Sequence, residues 1–344
     1  MYRNMRFCFI LCLAFFLVFT IIGGCKSKHG STIGGTKKIV NTATERLFEQ
    51  IIGSDIKTAE GLLQKHPDLF TAKGKHGNTL LHYAIQSGRV DLLELLLSKG
   101  NCHNTTNDYG ETALHVAVKK NKYDIARILL RHDATDANVM DCNGNSPLHS
   151  AVSVDIPNLK IVRLLLDNGA NPNVRANEES DVPLYNPVIH NNHQLMRLLI
   201  NKGADVNAKD AGGNPLLHIA VEDAVGWDSP VSSDIVIPTV RILLESGADI
   251  DALDNNGKPI LYTAVHAFKP AIFNMLINKG AKINSQDSDG KTALHYAAEE
   301  NHIRVIKFLL AHGADKRIRD KNNDPPFNLA LFNRNEEAAG LLEF

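Results

Sequence analysis

Fifteen histidines in a chain of 344 residues are the first groups here that could do chemistry, since imidazole both binds metals and carries protons near neutral pH. His82, His115, His149, His218 and His295 share a ladder with Tyr185, Tyr262 and Asn328, at successive intervals of 33, 34, 36, 33, 44, 33 and 33 residues. Chance does not produce such spacing; it marks an internal repeat. His190 and His193 stand off the ladder, three residues apart, a spacing that can bring both rings to one helix face. A metal site there would be supported by an HExxH pattern or a fixed acidic partner, and neither is present. Cys102 beside His103 is a weaker pairing still. Five cysteines, of which only Cys102 and Cys142 fall in the folded part, make no disulfide framework. Asp141, Asp210, Asp254, Asp287 and Asp320 lead into tight turns, mostly Asp-x-x-Gly, in which a carboxylate accepts local backbone hydrogen bonds. GxSxG, GxxxxGK[ST] and CxxC are all missing, so the reading is of a protein that is not an enzyme, with no cofactor and no metal.

The elements that position these residues are most plainly spelled between Gly290 and Asn322. Thr292, Ala293, Leu294 and His295 open a first helix, which Asn301 and His302 turn. Val305, Phe308 and Leu309 then line the apolar face of a second helix at i, i+3, i+4 spacing. Gly313 ends it, as a residue suited to the left-handed conformation that follows many helices. Gly100, Gly169, Gly203, Gly247 and Gly280 repeat that ending, with Asp133 the one departure.

This pattern resembles the ankyrin repeat, with its Thr-Pro-Leu-His-x-Ala signature. The resemblance implies an all-α ankyrin-repeat solenoid of stacked helix-turn-helix units with β-hairpin-like connectors. It also implies a structural task for the ladder histidines, hydrogen-bonding near the start of the first helix and to neighbouring units.

The expected organisation is a leader over 1–24, a lipidated cysteine and flexible tether over 25–43, and a repeat domain over 44–344. Within that domain, 44–76 is a degenerate N-terminal cap, 77–322 holds seven repeats, and 323–344 is the closing cap. Terminal units must face solvent on one side, which accounts for loss of the consensus there. Two units are stretched between their helices, around Val154 to Asn158 and around Asp223 to Pro238. The second insert carries Trp227, the only tryptophan, and its Gly226, Pro230 and serines read as a loop. Insertions of this kind emerge on the surface and Trp anchors partners well, although Trp227 folding back on adjacent helices is an equal alternative.

Arg3 and Arg6 precede the uncharged run Phe7 to Ile22, which has the order of a secretory signal and is short for a bilayer helix. Ile22, Gly23, Gly24 and Cys25 resemble the lipobox of bacterial lipoproteins. That resemblance implies cleavage before Cys25, acylation of its thiol with palmitate-type chains, and a place in the cell envelope on the outer side of a bacterial membrane, periplasmic or at the cell surface. An uncleaved signal anchor is the alternative. The tether from Lys26, rich in Gly, Ser, Thr and Lys, would span roughly 20 to 25 Å as a flexible coil.

Net charge is -1, with Lys+Arg 37 against Asp+Glu 38, which gives no electrostatic footprint for nucleic acid. The ankyrin resemblance implies that non-consensus positions at the tips and first helices grip protein partners. Those positions are Tyr109, Glu111, Lys119, Lys120, Glu178, Glu179, Ile189, His190, Glu222, His266, Glu299 and Glu300, with Trp227 added by the insert. The expectation is a monomeric, membrane-held scaffold or adaptor for protein partners of unknown identity. One alternative is a surface protein that binds host molecules. Another, of a different class, is a small-molecule, metal or enzymatic site at His190, His193 or the Trp227 loop.

Overall fold

Threonine, histidine, asparagine and glycine at fixed places in each unit set where helices begin and end. The computed structural model describes residues 36–343, except 101, 155, 176–181, 224–232 and 268–269. Thr79, Thr112 and Thr292 each cap a first helix through a capping box, in which His82, His115 or His295 stands where Glu or Gln is usual. Asn121, Asn191 and Asn301 take left-handed conformations (φ 54°, 51° and 59°) and turn the chain into the second helix.

The chain divides into two compact units, meeting in sequence at Pro147 and Leu148. The first contains α1 (Thr36–Gly53), α2 (Ile56–Lys65), α3 (Leu80–Ser87), α4 (Val90–Lys99), α5 (Ala113–Lys119) and α6 (Tyr123–Leu130). Here α1, α3 and α5 pack side by side as one layer and α2, α4 and α6 as the other. Leu92, Leu93, Leu96 and Leu97 of α4 are all buried, an apolar stripe at helical spacing.

The second unit runs from α7 (Pro147–Val152) and α8 (Leu159–Asp167) through α9 (Tyr185–Ile189), α10 (His193–Asn201), α11 (Leu216–Asp223), α12 (Ser233–Glu245), α13 (Ile260–Ala267) and α14 (Pro270–Asn278). It closes with α15 (Ala293–Glu299), α16 (Ile303–Ala311), α17 (Pro326–Phe332) and α18 (Glu336–Leu342). Successive first helices α9, α11, α13, α15 and α17 contact one another in turn, and so do the second helices α10, α12 and α14, and α16 with α18. The architecture is the expected all-α stack of helix pairs. Among the described residues its hairpin character is limited to isolated bridges, Thr106 with Thr112, Lys209 with Pro215 and Leu253 with Pro259.

Three local expectations change. The first helix begins at Thr36, ahead of the boundary at 44, because nothing between Thr36 and Gly53 breaks a helix. The segment read as a loop up to Pro238 is helical from Ser233, with Pro238 inside α12. Proline forfeits a backbone hydrogen bond there. Burial of Val236, Thr239, Val240 and Leu243, each 0% exposed, offsets that loss. Gly100 ends α4, but in an extended conformation (φ -125°) and not a left-handed one. It is glycine for space, since a Cβ would lie 2.5 Å from the Phe70 ring.

Candidate functional site

The ladder histidines are structural rivets. A backbone carbonyl can only accept, so the 2.9 Å contact from His82 Nε2 to the Glu111 carbonyl puts the proton on Nε2 and leaves Nδ1 to accept the Thr79 hydroxyl at 2.7 Å. His115 repeats this with Thr112 (2.9 Å) and the Asn145 carbonyl (3.0 Å), and His295 with Thr292 (2.8 Å) and the Asp324 carbonyl (3.2 Å). Each ring ties its own helix start to the next tip. His218 makes the onward bond to Lys258 (3.3 Å), but Pro215 replaces its threonine and the buried Nδ1 has no partner. Burial holds His82, His115, His218 and His295 below the ordinary histidine pKa. With both ring nitrogens engaged, His82, His115 and His295 have no lone pair left for a metal or a proton transfer.

The turn aspartates behave as their spacing predicts. Asp141 Oδ1 accepts from the Asn143 and Asn145 amides, both at 2.9 Å, and Asp287 Oδ1 from those of Asp289 and Lys291, both at 2.9 Å. Their second oxygens do something the sequence does not announce. Asp141 Oδ2 accepts from Lys119 Nζ at 3.4 Å, while the same lysine bonds Glu111 Oε1 at 2.8 Å. Asp287 Oδ2 accepts from both Lys258 and the Tyr296 hydroxyl. Burial raises the Tyr296 phenol, and its bond to Asp287 raises it further, so this hydroxyl is harder to ionise than usual.

Glu111 and Lys119 have counterparts with the charges exchanged. Glu111 precedes Thr112 as Lys291 precedes Thr292, and Lys119 ends α5 as Glu299 ends α15. The first pair meets at 2.8 Å and the second at 2.7 Å. In both units the preceding helix residues, Ala117 and Val118 or Ala297 and Ala298, are buried, which leaves the charged position at the open end of the face.

The remaining candidates fall in several places. Tyr109 is 55% exposed at a tip, its ring stacked on His76. Lys120, His190 and Glu222 are exposed, Ile189 is half-buried, and Glu300 bonds His302 at 2.8 Å. His190 and His193 do not make a site together, because His193 Nε2 bonds Thr239 Oγ1 at 3.0 Å. Cys25, Glu178, Glu179 and Trp227 lie outside the described residues, as does the side chain of His266 on α13. Among the described residues, no three His, Cys, Asp or Glu side chains are grouped to hold a metal, and no helix is long and apolar enough to cross a membrane. Cys102 is a free thiol, and burial pushes its pKa up to about 11, away from nucleophilic use.

A set of asparagines was missed altogether. Asn104, Asn173, Asn207 and Asn284 each accept, at their Oδ1, the amide of Asp136, Asp205, Asp249 or Asp315 in the next unit, at 2.7–2.9 Å. Three of them also donate to a carbonyl of that unit, of Ala134, Gly203 or Gly247. The signal was available, because each lies four residues after a glycine of the helix-ending ladder.

Family models match most of the chain. The model for ankyrin repeats (3 copies) matches residues 100–176, 158–227, 231–320 and 266–342, and that for the single ankyrin repeat matches 76–108. The ankyrin repeat protein L371 of Acanthamoeba polyphaga mimivirus is 31% identical over 153 residues, 44% of this chain and 20% of that protein. The nuclear factor NF-kappa-B p105 subunit of Gallus gallus is 26% identical over 207 residues, 58% of this chain and 20% of that protein. The alignments thus span about a fifth of the length of these relatives. Among solved structures, the ankyrin repeat domain of Bcl-3 is similar with a TM-score of 0.58 and 28% identity, over 68% of this chain and 99% of that one.

Proposed function

Because the chain belongs to the ankyrin repeat family, whose repeats are protein–protein interaction modules, we propose that it is a non-catalytic scaffold or adaptor held at a membrane by lipid on Cys25. One observation carries the binding reading. The consensus positions are spent on the stack, while the open register beside them varies freely in chemistry, from Lys119 to Glu222 to Glu299. Side chains that differ in charge from repeat to repeat at one register are what selective recognition requires. The anchoring reading is supported by the order of Arg3, Arg6, the apolar run and Ile22-Gly23-Gly24-Cys25. Two or three acyl chains would make that attachment lasting, where one would be marginal.

Crosslinking on intact cells followed by identification of the captured protein tests the first reading. Lys120→Glu and Glu300→Lys, both at exposed sites, are expected to reduce capture without moving the melting temperature. Recovery of no specific protein sinks it. Cys25→Ala is expected to move the protein from the membrane fraction to the soluble one and abolish labelling by a palmitate analogue; unchanged fractionation overturns the anchor. Protease shaving of intact cells then separates surface display toward host molecules, which predicts digestion, from a periplasmic scaffold, which predicts protection.

A further inference from the structure

Three turn aspartates of the same design use their outer oxygens differently. Asp141 Oδ2 accepts a lysine, Lys119, and Asp287 Oδ2 accepts Lys258 together with Tyr296. Asp320 has the same turn, its Oδ1 taking the Asn322 and Asp324 amides at 2.9 and 3.0 Å. Its Oδ2 is buried with no hydrogen-bond partner, in a residue only 6% exposed. Where Tyr296 donates to Asp287, the residue one 33-residue step later is Leu329, which has nothing to give.

The lysine that ought to serve Asp320 is present. Lys258 stands 29 residues before Asp287, and Lys291 stands at the same separation before Asp320. Burial lowers the His295 pKa, and the charges of Asp320 and Lys291 act on it in opposite senses, Asp320 raising it and Lys291 lowering it. Lys291 is turned instead toward Glu299, at 2.7 Å, with its ammonium 5.2 Å from the centre of the Tyr296 ring. Glu299 is accessible from outside, its side chain 38% exposed, and Glu300 beside it is 34% exposed.

We propose that Lys291 is a two-position cation: it holds Glu299 in the unbound protein and moves to Asp320 when a lysine or arginine of a basic protein segment takes Glu299 and Glu300. The exchange replaces one ion pair by two and leaves no ammonium stranded. It also removes an uncompensated buried carboxylate oxygen, which a neutral or acidic partner would leave in place. The binding reading above is thereby given a partner class: a basic segment, docked at the α15 end of the second unit.

The test titrates the full-length protein with a fluorescently labelled hexa-arginine peptide at low salt, reading anisotropy. Glu299→Gln is expected to weaken binding about tenfold, by loss of the seat. Asp320→Asn, which the peptide does not touch, is expected to weaken it by about fivefold, because Lys291 loses its second position. Lys291→Met is expected to tighten binding and to abolish the effect of Asp320→Asn in the double variant. An equal loss from Asp320→Asn in both backgrounds overturns the exchange, and so does no loss in either. Wild-type protein that ignores the peptide, or binds it regardless of Glu299→Gln, overturns the basic partner class. Should Asp320→Asn fail to fold, the Lys291 side-chain 15N resonance of the native protein must move on saturation with peptide, and an unmoved resonance refutes the proposal. Protein capture on cells is scored separately, so loss of this exchange and loss of the scaffold reading are distinguishable.

Discussion

Lys119, which the repeat resemblance implies grips a protein partner, has a further occupation in the structure. Its ammonium lies between Glu111 and Asp141, whose side chain is 1% exposed. Burial lowers the pKa of Lys119, but its bonds to the two carboxylates outweigh this and raise it. Lys119→Met is therefore expected to cost about 1–2 kcal/mol in urea denaturation, because Asp141 Oδ2 is left buried and unpaired, while Lys120→Glu stays within about 0.5 kcal/mol. A charge reversal at Lys119 would confuse binding with stability. The histidines add a pH dependence. Folding lowers the pKa of His82, His115, His218 and His295, so below the free value of about 6.5 the unfolded chain binds more protons than the folded one. Their contribution is complete above that pH and is lost as pH falls toward the folded values. Urea midpoints at pH 7.5 and 5 are expected to differ in that direction. His115→Asn, using the residue the chain itself has at 328, is expected to lower stability at pH 7.5 and flatten the slope.

At the scale of elements, glycines of identical conformation do unequal jobs. Gly110 (φ 74°) and Gly169 (φ 85°) are both left-handed, but a Cβ on Gly110 would meet the Cys142 amide nitrogen at 2.5 Å while none on Gly169 meets anything within 4 Å. Gly169→Ala is expected to cost about 1 kcal/mol from backbone strain alone. Gly110→Ala should cost clearly more, because it also disturbs the Cys142 amide's bond to the Tyr109 carbonyl (2.8 Å). Equal midpoints for the two variants would refute the packing argument. That contrast also marks what could be seen beforehand. Helix pairs, histidine rungs and aspartate turns were legible because each recurs about every 33 residues, and a period is a property of sequence. The Gly100 contact with Phe70, the helical start of α12 at Ser233 and the bonds from Lys119 to residues 8 and 22 positions away were not. They depend on which side chains face each other once the units are stacked.

For the whole molecule, stability is expected to be distributed by neighbourhood, since within each compact unit the principal helix contacts run within a repeat and between successive repeats. Leu342 and Leu199 are both 0% exposed, one in the closing helix and one in the interior of the second unit. Leu342→Ala and Leu199→Ala each remove a similar contact, worth roughly 2–4 kcal/mol. Amide hydrogen exchange is expected to separate them: the first speeds exchange in α17 and α18 alone, the second across α9 to α12. Uniform loss of protection in both would mean a single cooperative body. The asparagine rungs have a bearing on how such a chain can change. Asn173 reaches an amide 32 residues on and Asn207 one 42 residues on, and both bonds are 2.7 Å. The register is thus enforced in the connectors just after the second helices, so extra chain between a repeat's two helices leaves these bonds undisturbed. New recognition loops can be acquired by lengthening there, one unit at a time, without renegotiating the rest of the scaffold.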